Sequence, residues 1–463
     1  MNRMGKMICT GALCAAASAF AADFHEWART PPMGWNSWDC FGTTVTEAQV
    51  KEQADAQAKL LKPYGWTLLT VDITWYHGGS KGHVYEKGAE LTMDEYGRLT
   101  PALEKFPSAA DGAGFKPLAD YVHSKGLTFG IHIMRGIARQ AVERNTPIFG
   151  TNLRARDIAL TDNICVWNPH MYGVDMTKPG AQEYYDSLFA MYAAWGVDFV
   201  KVDDISRPYD EIQQREIEAI RKAIDKTGRP IVLSLSPGDT PVEKGSHVNR
   251  FANMWRVSDD FWDRWDPLFG MFGRLHKWTP YRIEGSWPDA DMLPFGIIDF
   301  NRPTNFTPDE QRTCMTLWCI ARSPLILGAD MTRMDADTLK LLTNREVLAV
   351  NQASSGNRQI SRDSDDRIVW AADAPDGKDK YVALFNAGTP GLKEYDLQKA
   401  AYRSILVGKS GVRDVDIKAD VKGSKQLASV ILYDLPEGYE TFEAKGRLMD
   451  GCEDHGGSVE FLV

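Results

Sequence analysis

Cysteine is scarce in this chain of 463 residues: seven are present, with no C-x-x-C pair and no Cys/His cluster of the kind that binds zinc. Cys9 and Cys14 fall in an N-terminal segment read below as a leader. That leaves Cys40, Cys165, Cys314, Cys319 and Cys452, an odd number, so at least one thiol is free or bridged to another chain. Cys314 and Cys319 lie five apart in a helical stretch, a poor spacing for a mutual disulfide. Other signatures are missing too. No G-x-x-x-x-G-K-[ST] and no H-E-x-x-H occur, and no G-x-G-x-x-G follows the first strand-like run. No metal and no cofactor are therefore expected. Positive charge is in deficit, with 53 Lys and Arg against 63 Asp and Glu and a net charge of −10. That balance argues against nucleic acid or an anionic membrane surface as the main partner. The apolar stretch Met7–Ala17 is too short to span a bilayer, so no membrane span is expected. Internal repeats and low-complexity linkers are absent.

What is present begins with that leader. Arg3 and Lys6 form a basic start, an apolar run follows, and Ala19-Phe-Ala21 fits the A-x-A cleavage pattern. Cleavage is expected near Ala21–Ala22, with export to the periplasm or exterior. Loss of Arg3 and Lys6 would take the charge from −10 to −12. Aromatics are plentiful, with 14 Trp and 16 Tyr. Clefts that bind sugars stack aromatic faces on pyranose rings, although Trp is also an ordinary core residue.

From residue 30 to 350 the pattern alternates. Strand-like runs lie at Met33–Trp38, Trp66–Ile73, Leu127–Ile133, Phe199–Val202, Pro230–Ser236, Met254–Ser258, near Tyr281–Glu284 and at Pro324–Gly328. Helical spacing intervenes: Thr46-Glu-Ala-Gln49 opens one helix as a capping box, and Lys125-Gly126 closes another. Eight such alternations predict a parallel (β/α)8 TIM barrel over residues 22–352, with an open doubly wound sheet as the alternative. Past about residue 353 the helical patterns stop. Short alternating runs (Ile368–Ala372, Tyr381–Phe385, Tyr402–Val407, Leu427–Tyr433, Val459–Val463) predict an antiparallel β domain over 353–463.

The chemistry concentrates where strands end. Trp195-Gly-Val-Asp-Phe-Val-Lys-Val-Asp-Asp204 is a buried strand that finishes in Lys201, Asp203 and Asp204. In a barrel, such ends converge on the catalytic face. A carboxylate beside a lysine there is either an ionised nucleophile or a helix N-cap. Other carboxylates occupy equivalent places: Asp72, Asp259, Asp260, Asp289 and Asp291, with Trp38, Trp75, Trp255, Trp262 and Trp287 near them. Paired carboxylates are the usual apparatus of glycoside hydrolysis. Each Asp taken singly is also a common turn former.

Five segments carry a resemblance: Arg29-Thr-Pro-Pro-Met-Gly-Trp-Asn-Ser-Trp38, Leu118–His132, Trp195–Asp203, Trp255-Arg-Val-Ser-Asp-Asp260 and Gly285-Ser-Trp-Pro-Asp-Ala-Asp-Met-Leu293. In that order they resemble glycoside hydrolase family 27, the α-galactosidase and α-N-acetylgalactosaminidase family. The resemblance implies a retaining mechanism, with Asp203 as nucleophile and Asp260 as acid/base. Asp259 is out of register and ranks second, and Asp204 takes a structural role. Lys201, Arg256 and Asp72 would bind sugar hydroxyls, Trp38 would wall the pocket, and Asp291 with Met292 would lie on its far side. For Trp38 and Met292, plain packing is the competing reading. The resemblance also implies a C-terminal β-sandwich, and the tail from about Val415 is weakly similar to part of a carbohydrate-binding module.

Departures from the family pattern bear on the sugar. Ile73 stands where α-galactosidases carry a second Asp, His132 stands for a Tyr, and Asp204 and Ile205 replace a Cys position. Ser236 stands where α-galactosidases commonly have Glu and α-N-acetylgalactosaminidases have Ser. β-L-Arabinopyranosides, galactose-shaped but lacking C6, would tolerate Ile73. The expectation is an exo-glycosidase acting on a carbohydrate substrate, an α-galactosidase first. A β-L-arabinopyranosidase or an α-N-acetylgalactosaminidase is the alternative, and a non-catalytic sugar binder is the competing class.

Overall fold

Apolar strands that are buried on both faces pack as parallel sheets under a layer of helices. A computed structural model describes residues 23–388 of this chain. Its principal strands are β1 (Met33–Asn36), β2 (Leu68–Val71), β3 (Thr128–Met134), β4 (Phe199–Asp203), β5 (Val232–Leu235), β6 (Met254–Arg256), β7 (Trp287–Asp289) and β8 (Leu325–Leu327). They form one sheet of eight parallel strands in the order β7-β6-β5-β4-β3-β2-β1-β8. A parallel bridge from Leu293, just past β7, to Leu327 links the two ends. This curled sheet is the architecture of a (β/α)8 barrel.

Each strand is followed by a helix: α1 (Glu47–Leu60), α2 (Lys116–Ser124), α3 (Ala181–Ala194), α4 (Glu211–Thr227), α5 (Gly245–Phe251), α6 (Trp265–Trp278), α7 (Pro308–Ala321) and α8 (Arg345–Ala353). Their starts are chemically defined. Thr46 and Gln49 form a reciprocal capping box on α1. On α7, Glu310 N–H donates to Thr307 Oγ1 at 3.2 Å, and Thr307 N–H donates to Glu310 Oε2 at 2.8 Å. α2 stops at Ser124, and Gly126 at φ +70° takes the left-handed turn that follows.

Two expected strands need correction. The seventh is Trp287–Asp289, not Tyr281–Glu284. Tyr281 closes a 3-10 turn, while Pro288 inside the true strand hides it from a propensity reading. The first ends at Asn36 because the Asn36 Oδ1 accepts from the Trp38 N–H at 2.8 Å, turning the chain into the short helix Trp38–Phe41. The connection after β3 is also more structured than a loop. It contains a three-stranded antiparallel sheet of Ile137–Ala138, Ala159–Ile164 and Met171–Val174.

Beyond α8 the chain turns antiparallel, with β9 (Ser355–Arg362), β10 (Arg367–Asp373) and β11 (Lys380–Asn386) in that order. Phe385 packs edge-on against Phe272 of α6, ring centroids 5.0 Å apart, fastening this sheet to the barrel. The leader, the runs at 402–407, 427–433 and 459–463, the tail from Val415 and Cys452 lie outside the described residues. Cys40, Cys165, Cys314 and Cys319 are all buried and unpaired. Among the described residues no helix is long and apolar enough to cross a membrane.

Strand periodicity then decides what faces the barrel axis. Leu68, Phe199, Met254, Trp287 and Ile326 form a small apolar cluster of their own with Met292. Their strand neighbours Leu69, Val200, Trp255 and Leu327 belong instead to the main core. Two-residue alternation therefore sends Asp72, Lys201, Asp203, Arg256 and Asp289 inward, above an apolar plug. Replacing Thr307 by Ala should lower stability by about 1 kcal/mol, seen as a lower urea midpoint, because the α7 capping box loses its acceptor.

Candidate active site

On β4, Phe199 plugs the barrel interior while Lys201 and Asp203, two and four residues on, rise toward its mouth. Lys201 Nζ lies 3.1 Å from Asp72 Oδ2. The same oxygen accepts from Asn36 Nδ2 at 2.8 Å, and Asp72 Oδ1 accepts from the Ile73 N–H at 2.9 Å. Asp72 is 1% exposed. Burial alone would protonate it, but Lys201, together with these donors, holds its carboxyl down at about 2. The Lys201 ammonium is correspondingly raised: burial opposes its charge, and Asp72, Asp203 and Asp291 outweigh that.

Asp203 is also caged. Its Oδ2 lies 2.9 Å from His132 Nε2 and 3.4 Å from Ser236 Oγ, and its Oδ1 accepts from the Asp204 N–H at 2.7 Å. Burial works against ionisation, but the His132 contact, Lys201 and the Asp204 N–H keep Asp203 below the usual carboxylate range. The His132 backbone is fixed in turn, since its carbonyl accepts from Trp75 Nε1 at 2.7 Å. An ionised carboxylate with fixed donors on both oxygens can act as a nucleophile.

Asp204 turns away from this group. At φ +58° it directs its carboxylate to Arg135 Nη2 at 3.0 Å. Arg135 also binds Glu216 at 3.0 Å, and Glu216 accepts from the Tyr185 hydroxyl. Burial raises Asp204 to about 6 despite Arg135.

The second charged group sits on β6. Arg256, 2% exposed, reaches Asp291 Oδ2 at 2.8 Å and Asp260 Oδ1 at 3.2 Å through Nη2. Asp291 also accepts from the Phe261 N–H at 2.7 Å, which fixes the loop carrying Asp260. The Asp260 side chain is 59% exposed, at the mouth. Asp259 points elsewhere, 63% exposed and paired with Arg207 Nη1 at 2.5 Å. Asp289 lies under Asp291, accepting its N–H at 2.9 Å. Burial, then the charge of Asp291, pushes Asp289 up to about 6.

The structure thus gathers Asp72, His132, Lys201, Asp203 and Ser236 into one cage and Arg256, Asp260 and Asp291 into a second. Ile73 is buried beside Asp72, in the main core. Met292 lies in the apolar plug, with Trp38 packed on it. Several residues escape sequence reading. Asn36 stands inside the first family-like segment but is marked only by its inward parity. His83, Tyr85 and Trp167 come from long connections without periodicity. Tyr85 runs parallel to Trp38 within 3°, and Trp167 meets Tyr85 edge-on at 5.3 Å. Asp39, buried with no partner on Oδ2, is admitted by Gly328, where a Cβ would sit 2.0 Å from that oxygen. Burial and then Asp291 push the Asp39 carboxyl well up. Among the described residues no group of three or more His, Cys, Asp or Glu is arranged to hold a metal ion.

A parallel barrel with carboxylates and buried cations at its strand ends, ringed by aromatics, is a sugar-processing site in form. Comparison with known proteins gives the class. A family model described as alpha galactosidase A matches residues 169–353. The chain is 31% identical over 392 residues to alpha-galactosidase A of Cellvibrio japonicus, covering 81% of this chain and 80% of that protein. It is 30% identical over 352 residues to the alpha-galactosidase of Cyamopsis tetragonoloba, covering 76% and 71%. The crystal structure of a GH27 β-L-arabinopyranosidase from Geobacillus stearothermophilus is 56% identical, with a TM-score of 0.77, over 78% of this chain and 85% of that one. The chain is a glycoside hydrolase and belongs to glycoside hydrolase family 27.

Asp72 makes the site's charge balance measurable. A carboxyl held at about 2 when folded, against about 3.9 unfolded, stabilises the fold fully above the unfolded value. That stability is lost as pH falls through the folded value. Wild type should lose roughly 2–3 kcal/mol more than Asp72→Asn between about pH 5 and pH 2, read by urea unfolding across that window.

Proposed function

We propose that this enzyme is a retaining exo-glycosidase that removes terminal β-L-arabinopyranosyl units from a glycan. The observation that supports the chemistry best is the cage that keeps buried Asp203 ionised. Asp203 attacks the anomeric carbon, the bond from that carbon to the leaving oxygen breaks, and Asp260 gives its proton to that oxygen. In the second step Asp260 takes a proton from water. The water oxygen then bonds to the anomeric carbon as the ester to Asp203 breaks, restoring both carboxyls. Asp72 and Lys201 accept from and donate to sugar hydroxyls. Arg256 and Asp291 hold the Asp260 loop in place, over the floor made by Trp38 and Met292.

Ile73 supports the choice of sugar. It puts a buried alkyl group where the family's α-galactosidases carry an Asp, removing the acidic partner for a hydroxymethyl group. The 56% identity to a β-L-arabinopyranosidase points the same way. Terminal α-D-galactose is the second reading, favoured by the curated relatives named alpha-galactosidase. Ser236 leaves α-N-acetylgalactosaminide as a third substrate to assay.

The leader features support export, so the exported protein should begin near Ala22 on N-terminal sequencing. The outward Ile360, Val382 and Leu384, at 52%, 59% and 76% exposure, support a second sheet covering β9–β11 as in a β-sandwich.

The p-nitrophenyl glycosides of β-L-arabinopyranose, α-D-galactose and α-N-acetylgalactosamine discriminate the readings. The highest kcat/KM is expected on the arabinopyranoside. A preference for galactoside transfers the assignment to that sugar, and inactivity on all three would sink all three substrate assignments. Asp203→Asn should lower kcat by about 10³-fold or more. Ile73→Asp should raise the galactoside-to-arabinopyranoside ratio.

A further inference from the structure

The rim beside Asp260 is lined by rings that the chemistry at Asp203 does not use. Trp262 lies two residues past Asp260 and is half-buried. Its ring meets His83 at 5.7 Å and 87°. Phe300, 43% exposed, meets the same His83 at 5.2 Å and 52°. His83 in turn stands edge-on to Trp38 at 4.9 Å and 67°. One imidazole from the β2 connection therefore joins three rings carried by the connections after β1, β6 and β7.

These connections are fixed to one another. Arg302 donates to both oxygens of buried Asp263, at 2.5 and 3.0 Å, and its Nε reaches Asp299 at 3.3 Å. The Asn305 N–H also donates to Asp263, at 2.5 Å. The Asp299 and Phe300 N–H groups donate to the carbonyls of Asp39 and Cys40, at 2.5 and 3.0 Å. The rings are thus held in place before any ligand arrives, so binding need not order them.

We infer that Trp262, Phe300 and His83 form a binding subsite for the sugar unit on the leaving side of the scissile bond. The inference rests on the assignment of Asp260 as acid/base. A group that protonates the leaving oxygen must stand next to the unit that departs. At Asp260 that unit meets an exposed aromatic corner. Near-perpendicular contacts such as Trp262 against His83 leave ring faces uncovered by the partner, and such faces suit the C–H face of a pyranose. Arg302 is already committed to Asp263 and Asp299, and Arg256 to Asp260 and Asp291, so a neutral sugar fits better than an anionic leaving group. The natural substrate is then an oligosaccharide or side-chain glycan whose penultimate residue is a hexose or pentose ring.

The test uses the full-length enzyme and two substrates with the same terminal sugar. One is the glycosyl fluoride, whose leaving group is too small to reach the rings. The other is a disaccharide in which that sugar is linked to galactose. The readout is the ratio of kcat/KM on the disaccharide to that on the fluoride. Phe300→Ala and Trp262→Ala should each lower the ratio by at least about tenfold, while Trp262→Phe, which keeps a ring, should lower it less. Equal losses on both substrates, or an unchanged ratio, would overturn the subsite even if the enzyme is active. Failure of wild type to cleave either substrate would overturn the proposed terminal sugar and the subsite together.

Discussion

A buried ammonium needs neighbours that are charged, or it loses its proton. Lys201 meets that need with Asp72 at 3.1 Å and with the charges of Asp203 and Asp291. The dependence runs both ways, because that cation is the main influence holding Asp72 down against burial and, after His132, helps to hold Asp203 down. The three groups share one row because β4 and β2 alternate inward and outward with a period of two. A shift of register by one residue would bury Val200 and Val202 at the mouth and turn Lys201 toward the helices.

The rest of the architecture serves to keep that row rigid. The plug of Leu68, Phe199, Met254, Trp287, Met292 and Ile326 fills the barrel beneath the charges. Around the rim, charged and backbone contacts tie loops together. Arg135 links the chain past Asp204 to Glu216 on α4, and Asp291 holds the Phe261 N–H. Asp203 and Asp260 therefore stand in different environments: one enclosed and held below the usual carboxylate range, the other half in solvent. Two carboxylates set apart in this way can take different roles in one reaction.

The chain's own motifs made much of this legible. Alternation of strand and helix predicts the barrel, and the carboxylates at strand ends predict the face on which it works. Thr46 and Gln49 mark a helix start that the fold contains. Sequence reading failed where local propensity was overruled. β7 contains Pro288 and is only three residues long, whereas Tyr281-Arg-Ile-Glu284 has the composition of a strand but packs as a turn. His83, Tyr85, Trp167 and Phe300 were illegible because nothing in an aperiodic connection says where a ring will point.

What the sequence by itself determined is the inventory and the order: inward-facing charges at fixed two-residue spacing, and motifs that identify the family. These are local properties, set by strand geometry and by the identity of adjacent residues. Only the tertiary structure decided the pairings. It gave Asp203 its His132 and Ser236 partners, sent Asp204 to Arg135, and brought rings from three other connections around His83. Those contacts join residues far apart in the chain, and they depend on closure of the parallel sheet, which no local stretch encodes.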